Sequence, residues 1–141
     1  RKGGDKILLA TDTAFIGMAV QGADGTTVQG HRFPPCSIYM LESNYVRIED
    51  ATETLKGMQL EVEKRRVSSH MSAQTSSAFI GRQDLSQCRE VYLIHISHSA
   101  TESDIIEMVQ MFRTEIANNP TAKETKKGIK IYANGKEYEA E

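Results

Sequence analysis

At 141 residues, with 39% apolar and 26% charged residues and a formal charge of −2, the sequence has the balance of one globular domain. All of 1–141 is expected to belong to it. The sequence pI of about 6.1 gives no electrostatic reason to expect nucleic acid or an acidic membrane as a partner. No apolar run approaches the roughly 20 residues that span a bilayer. Cys36 and Cys88 lie far apart and form no CxxC pair, so a reduced, cytoplasmic setting is expected rather than a structural disulfide. Arg1-Lys2 has no apolar stretch behind it and does not open a signal peptide. Arg1 is not an initiator Met and a strand is expected within a few residues, so a preceding segment is expected too.

The first predicted element is the apolar run Ile7-Leu8-Leu9-Ala10, which ends in Thr11-Asp12-Thr13. Val20 and Val28 then flank the turn residues Ala23-Asp24-Gly25-Thr26 at hairpin distance. Residues 30–35 form a loop stiffened by Pro34-Pro35, and a second apolar run, Ile38-Tyr39-Met40-Leu41, ends in Glu42-Ser43-Asn44. Residues 48–64 tolerate a helix, with Leu55, Met58 and Val62 at helical spacing, although Gly57 weakens it. Ser72 can cap a helix running through Phe79 and Ile80. A third run, Val91-Tyr92-Leu93-Ile94, ends in His95-Ile96-Ser97-His98. Thr101-Glu102-Ser103-Asp104 reads as a capping box opening a helix whose apolar stripe is Ile105, Val109, Phe112 and Ile116. That stripe is expected to pack on the strand Val91–Ile94, and Asn118-Asn119-Pro120 ends the helix. Ile129 to Tyr132 alternates as a strand, and Asn134-Gly135 turns the chain into a last strand over Lys136 to Glu139.

The three apolar runs are continuous rather than alternating, the pattern of strands covered on both faces. Each ends in chemically capable residues, and open α/β sheets bind ligands beyond the carboxyl ends of their strands. Asp12 stands at the first such end, where a carboxylate can bridge two divalent ions; a turn-stabilising Asp is the plain alternative. His95 stands at the third, as a candidate ligand or as a hydrogen-bonded structural imidazole. His98 adds an HxxH pattern of low specificity. His70 precedes the Ser72 cap, where a helix N-terminus favours an anion and an imidazole can pass a proton to a phosphate oxygen. Glu42 and Asn44 are placed to orient ligands or to satisfy loop backbone. His31 and Arg65-Arg66 read as solvated.

Taken in order, these segments resemble the C-terminal half of a metallo-β-lactamase-fold hydrolase. Lys6-Ile7-Leu8-Leu9-Ala10-Thr11-Asp12-Thr13 resembles the segment whose Asp bridges two metals, and Tyr39-Met40-Leu41-Glu42-Ser43-Asn44-Tyr45 is similar to the strand that follows. Arg65-Arg66-Val67-Ser68-Ser69-His70-Met71-Ser72 looks like the segment with a phosphate-facing, non-ligand histidine in the phosphodiesterase branch. Val91-Tyr92-Leu93-Ile94-His95-Ile96-Ser97 resembles the one supplying the last metal-binding histidine, and residues 130–139 are similar to the terminal hairpin. The resemblance implies an α/β fold: half of an αββα sandwich, a mixed sheet with flanking helices. It also implies Asp12 and His95 as ligands of a divalent metal, zinc in the first place, with manganese or iron as alternatives. His70 becomes the catalytic acid, and a phosphodiester or cyclic nucleotide the substrate. The bacterial and phage phosphodiesterase-like members are the nearest in pattern, with ribonuclease Z more distant. The HxHxDH motif that precedes the bridging Asp in that family is absent; all four histidines follow Asp12. Catalytic zinc takes about three protein ligands. The remaining ligands are therefore expected from an N-terminal half or a second chain.

Two functions follow as expectations. One is a metal-dependent phosphodiesterase completed by that missing half. The other is a non-catalytic α/β module for protein association, with homo-oligomers expected through a sheet edge or apolar face.

Overall fold

The computed structural model describes residues 5–11, 20–21, 27–28, 33–47, 57–59, 61–62, 69–124 and 128–139. Its centre is a five-stranded mixed sheet: β1 (Ile7–Ala10), β4 (Ile38–Glu42), β5 (Glu90–Ile94), β6 (Lys130–Ala133) and β7 (Lys136–Glu139), side by side in that order. The first four run parallel, and only β7 is antiparallel. A separate two-stranded ribbon pairs β2 (Val20–Gln21) with β3 (Thr27–Val28), Val20 opposite Val28, as the turn residues between them predict. The β6–β7 connection is the Asn134-Gly135 turn, whose two residues have φ of 51° and 81°. Two successive left-handed residues match the twist of a tight hairpin, and Asn and Gly are the types that enter that region most readily.

Helix α1 (Ala73–Gly81) links β4 to β5, and α2 (Glu102–Ala117) links β5 to β6. Ser72 caps α1, its hydroxyl accepting from the Thr75 N–H. Thr101 caps α2 in a reciprocal box with Asp104, each side chain accepting from the other residue's backbone N–H. Both crossovers step the same way across parallel strands. Right-handed connections of that kind place their helices on one face, and α1 and α2 pack directly against each other. Residues 57–59 and 61–62 are helical and exposed; the rest of the helix expected over 48–64 lies outside the described residues.

The stripe Ile105, Val109, Phe112 and Ile116 is buried, joined by Met108. It shares one buried core with Val91 and Leu93 of β5 and Ile131 of β6, and α2 also packs along α1. Behind α2, a 3₁₀ turn (Pro120–Glu124) brings Asn119 under the end of α1, where its buried Nδ2 donates among the carbonyls of Ile80, Gly81 and Gln83. Ile80 and Gly81 close the last turn of α1, where carbonyls run short of intrahelical donors, and Ile80 O accepts from the Gln83 N–H as well.

Burial of the sheet also departs from the expectation of two covered faces. Tyr39, Leu41, Val91, Leu93, Ile131 and Ala133 form one fully buried face under the helices. The opposite parity, aligned by register as Leu9, Met40, Tyr92 and Tyr132, is only half-buried or exposed. Ile7 and Leu9 are 55% and 61% exposed. Tyr92 and Tyr132 stack on that face with ring centroids 4.7 Å apart and planes 13° from parallel. Both cysteines are buried free thiols, so no disulfide joins them. No described helix is long and apolar enough to cross a membrane.

Candidate metal and acid–base site

Parallel pairing points the carboxyl ends of β1, β4, β5 and β6 toward one edge, and three of those ends build the site. Glu42 is the last residue of β4 and its side chain is fully buried. Two strand neighbours contribute Thr11, just after β1, and His95, just after β5. His70 arrives from the turn before α1. That turn is bound to the chain after β4: Asn44 N–H donates to Met71 O, Ala73 N–H to Tyr45 O, and Gln74 N–H to Val46 O. A bridge between Tyr45 and Ser72 completes the short parallel seam. The N-cap of α1 is thus stitched to β4, and His70 is delivered to Glu42 by backbone bonding.

The Glu42 carboxylate holds the cluster together. Its Oε1 accepts from the Thr11 hydroxyl at 3.1 Å and lies 2.8 Å from His95 Nδ1. Its Oε2 accepts from the Met71 N–H at 2.9 Å and lies 2.9 Å from His70 Nδ1. An ionised carboxylate is acceptor-only, with about four lone-pair directions, and all four are met by these groups. Such satisfaction is what a buried charge requires, since an uncompensated one is prohibitively costly. With Glu42 ionised, both bonds require hydrogen on the imidazole Nδ1. Each ring then turns Nε2 to the opposite side, the nitrogen suited to a metal or to proton exchange. The two rings stand edge to face, 4.9 Å apart at 72°. His70 is 23% and His95 43% exposed at the side chain, so a buried anion backs two imidazoles that solvent reaches.

His95 has a left-handed backbone, φ 53°. Simple alternation along β5 would send position 95 to the helix-covered face; the left-handed residue breaks the alternation and aims the ring at Glu42. The Asn44 amide donates to His95 O at 3.0 Å, and the Ser97 N–H donates to Asn44 O at 3.0 Å.

Glu42, His70 and His95 offer donor atoms that all lie within 4.8 Å of one another, so this partly buried group could bind a metal ion, an ion on Glu42 taking the place of one of the hydrogen bonds just described. Two imidazoles and a carboxylate form a donor set of zinc type. Of the residues singled out in the sequence, the structure brings His70 and His95 together. Asp12, His31 and the Arg65-Arg66 pair lie outside the described residues, although Thr11, which precedes Asp12, is part of the cluster. His98 is exposed and stands apart from the group. Glu42 is more central than its place in the sequence suggests. The available signal is a carboxylate terminating a buried parallel strand, where only function or dense hydrogen bonding offsets its desolvation. No protein-family profile, curated protein or solved structure matches this chain.

Proposed function

We propose that this chain carries part of a metal-dependent phosphodiesterase centre, as the C-terminal half of a metallo-β-lactamase-type sandwich. The single observation carrying the proposal is the Glu42 clasp. One buried carboxylate orients two imidazoles at the carboxyl edge of a parallel sheet. In this reading His95 and Asp12 hold the metal, zinc or else manganese or iron, together with ligands from an N-terminal half or second chain. When bound, a divalent ion supplies Lewis acidity toward a phosphoryl oxygen and a nucleophilic water at neutral pH. His95 binds through Nε2 while Glu42 holds its Nδ1 hydrogen, the carboxylate–histidine arrangement that orients a ligand and raises its basicity. His70, held in the same way, is the proton donor to the leaving oxygen of a phosphodiester or cyclic nucleotide. Its Nδ1 hydrogen stays on the Glu42 side, so the exchanged proton is the one on Nε2. The N-terminus of α1 beside it favours an anionic substrate.

Three variants test this in the assembly completed by an HxHxDH-bearing half, with zinc content, melting temperature and hydrolysis of a phosphodiester read on each. Asp12→Ala should abolish metal occupancy, and His95→Ala should weaken it. His70→Ala should leave metal content intact and lower turnover by roughly 10²–10⁴-fold. Unchanged zinc content in both ligand variants, or a His70→Ala protein that turns over normally, would overturn the assignment.

A second reading, association without catalysis, is favoured by one observation: the apolar sheet face that no described helix covers, with Ile7 and Leu9 exposed. If that is the function, the protein should sediment as an oligomer, and Leu9→Glu should make it monomeric without lowering its melting temperature. A monomer at all concentrations rejects self-association through this face.

A further inference from the structure

We infer that Asn44 is a positioning residue that sets the backbone of His95 and, through it, the direction and tautomer of the His95 ring. Left-handed φ is uncommon for a residue with a Cβ, and nothing in a strand end itself selects it, so contacts outside β5 must hold it. Asn44 supplies them from both sides. Its side-chain Nδ2 donates to His95 O at 3.0 Å, and its own carbonyl accepts from the Ser97 N–H at 3.0 Å. One residue earlier, the Ser43 N–H donates to Ile94 O at 3.0 Å. The two residues following β4 therefore bracket 94–97, and the left-handed turn falls inside the bracket.

The chemistry of the side chain matters as much as its place. Only a donor can engage His95 O, and Asn44 is 6% exposed, so little water is at hand to substitute. The donor fixes the carbonyl, the carbonyl fixes the turn, and the turn brings Nδ1 to 2.8 Å from Glu42 Oε1. His70 reaches Glu42 from a different segment, through Met71 and the α1 cap. The Asn44 N–H also holds Met71 O, but a substitution keeps that backbone bond, so loss of the side-chain amide should disturb the His95 imidazole and spare that of His70. A packing role would affect both rings or neither.

The significance for metal binding rests on the proposed function, so the test separates the two. The nitrogen chemical shifts of both imidazoles are recorded in the wild-type chain, in Asn44→Leu, which keeps the volume without a donor, and in Asn44→Ser, which is smaller and polar. Zinc alone is titrated into each. Expected is an Nδ1–H form for both histidines in the wild type. In both variants His95 moves to a tautomer mixture while His70 is unchanged, and zinc affinity falls by roughly 10–100-fold, the usual effect of losing a group that orients a ligand. If Asn44→Leu does not fold, Asn44→Ser carries the measurement, with the His70 shifts as its internal control. His95 shifts that stay at the wild-type values in a folded variant overturn the inference. A wild type that takes no zinc even in the assembly completed by an HxHxDH-bearing half, with His95 still released in the variants, overturns the metal reading and leaves the positioning role standing.

Discussion

Glu42 shows what a single side chain can organise at the end of a strand, and what the sequence conceals. His70 and His95 stand out in the sequence because imidazoles at strand and helix ends are few. A glutamate is common, and its burial beneath two rings depends on the seam joining 44–46 to 71–74, which no local pattern announces. The left-handed turn at His95 is equally invisible, since histidine has no strong signature for it. Cys88 supplies a contrasting case, a buried residue whose consequence is a pH dependence. Burial pushes its thiol from 9.0 up to about 12, the uncharged form being the one the core accepts. Below pH 9 the thiol is neutral in both folded and unfolded chains, and its contribution to stability is fully present. As pH rises from 9 toward 12, the unfolded chain releases its proton first and that contribution is lost. Urea midpoints should therefore fall above pH 9, and Cys88→Ser, which has no thiol to titrate, should flatten the slope. A midpoint indifferent to pH in the wild type would show the thiol to be solvated.

Among the elements, the helices were the most readable. The Thr101–Asp104 box and the Ser72 cap both occur as their residue types suggest, because capping is a local matter of one side chain and one N–H. The apolar stripe of α2 was readable as a core face, and it joins Val91 and Leu93 in the core; its packing along α1 was not announced by the pattern. Phe112 lies in that core with no exposed surface. Phe112→Ala should cost about 3–5 kcal/mol in a denaturant titration, because the space between two helices and a sheet collapses poorly around a lost ring. A loss within experimental error would show α2 to be peripheral to the cooperative unit.

For the molecule as a whole, strand limits were read within a residue for β1, β4, β5, β6 and β7, whereas two-sided coverage was not met. Continuous apolar runs describe what a strand will tolerate on both faces, and the described residues place helices on only one of them. Sheets built mainly from parallel strands are usually covered on both sides, and the outer row Leu9, Met40, Tyr92 and Tyr132 departs from that pattern. That row has a consequence for how the gene can drift. If the face stays wet in the cell, positions 9, 40, 92 and 132 accept polar replacements freely while 39, 41, 91, 93 and 131 do not. A saturation library would then show tolerance beating with a period of two along each strand. If a second layer covers the face during the protein's working life, the beat disappears and both parities become equally intolerant. The pattern of permitted letters would thereby record an occupant of this surface without any need to isolate it.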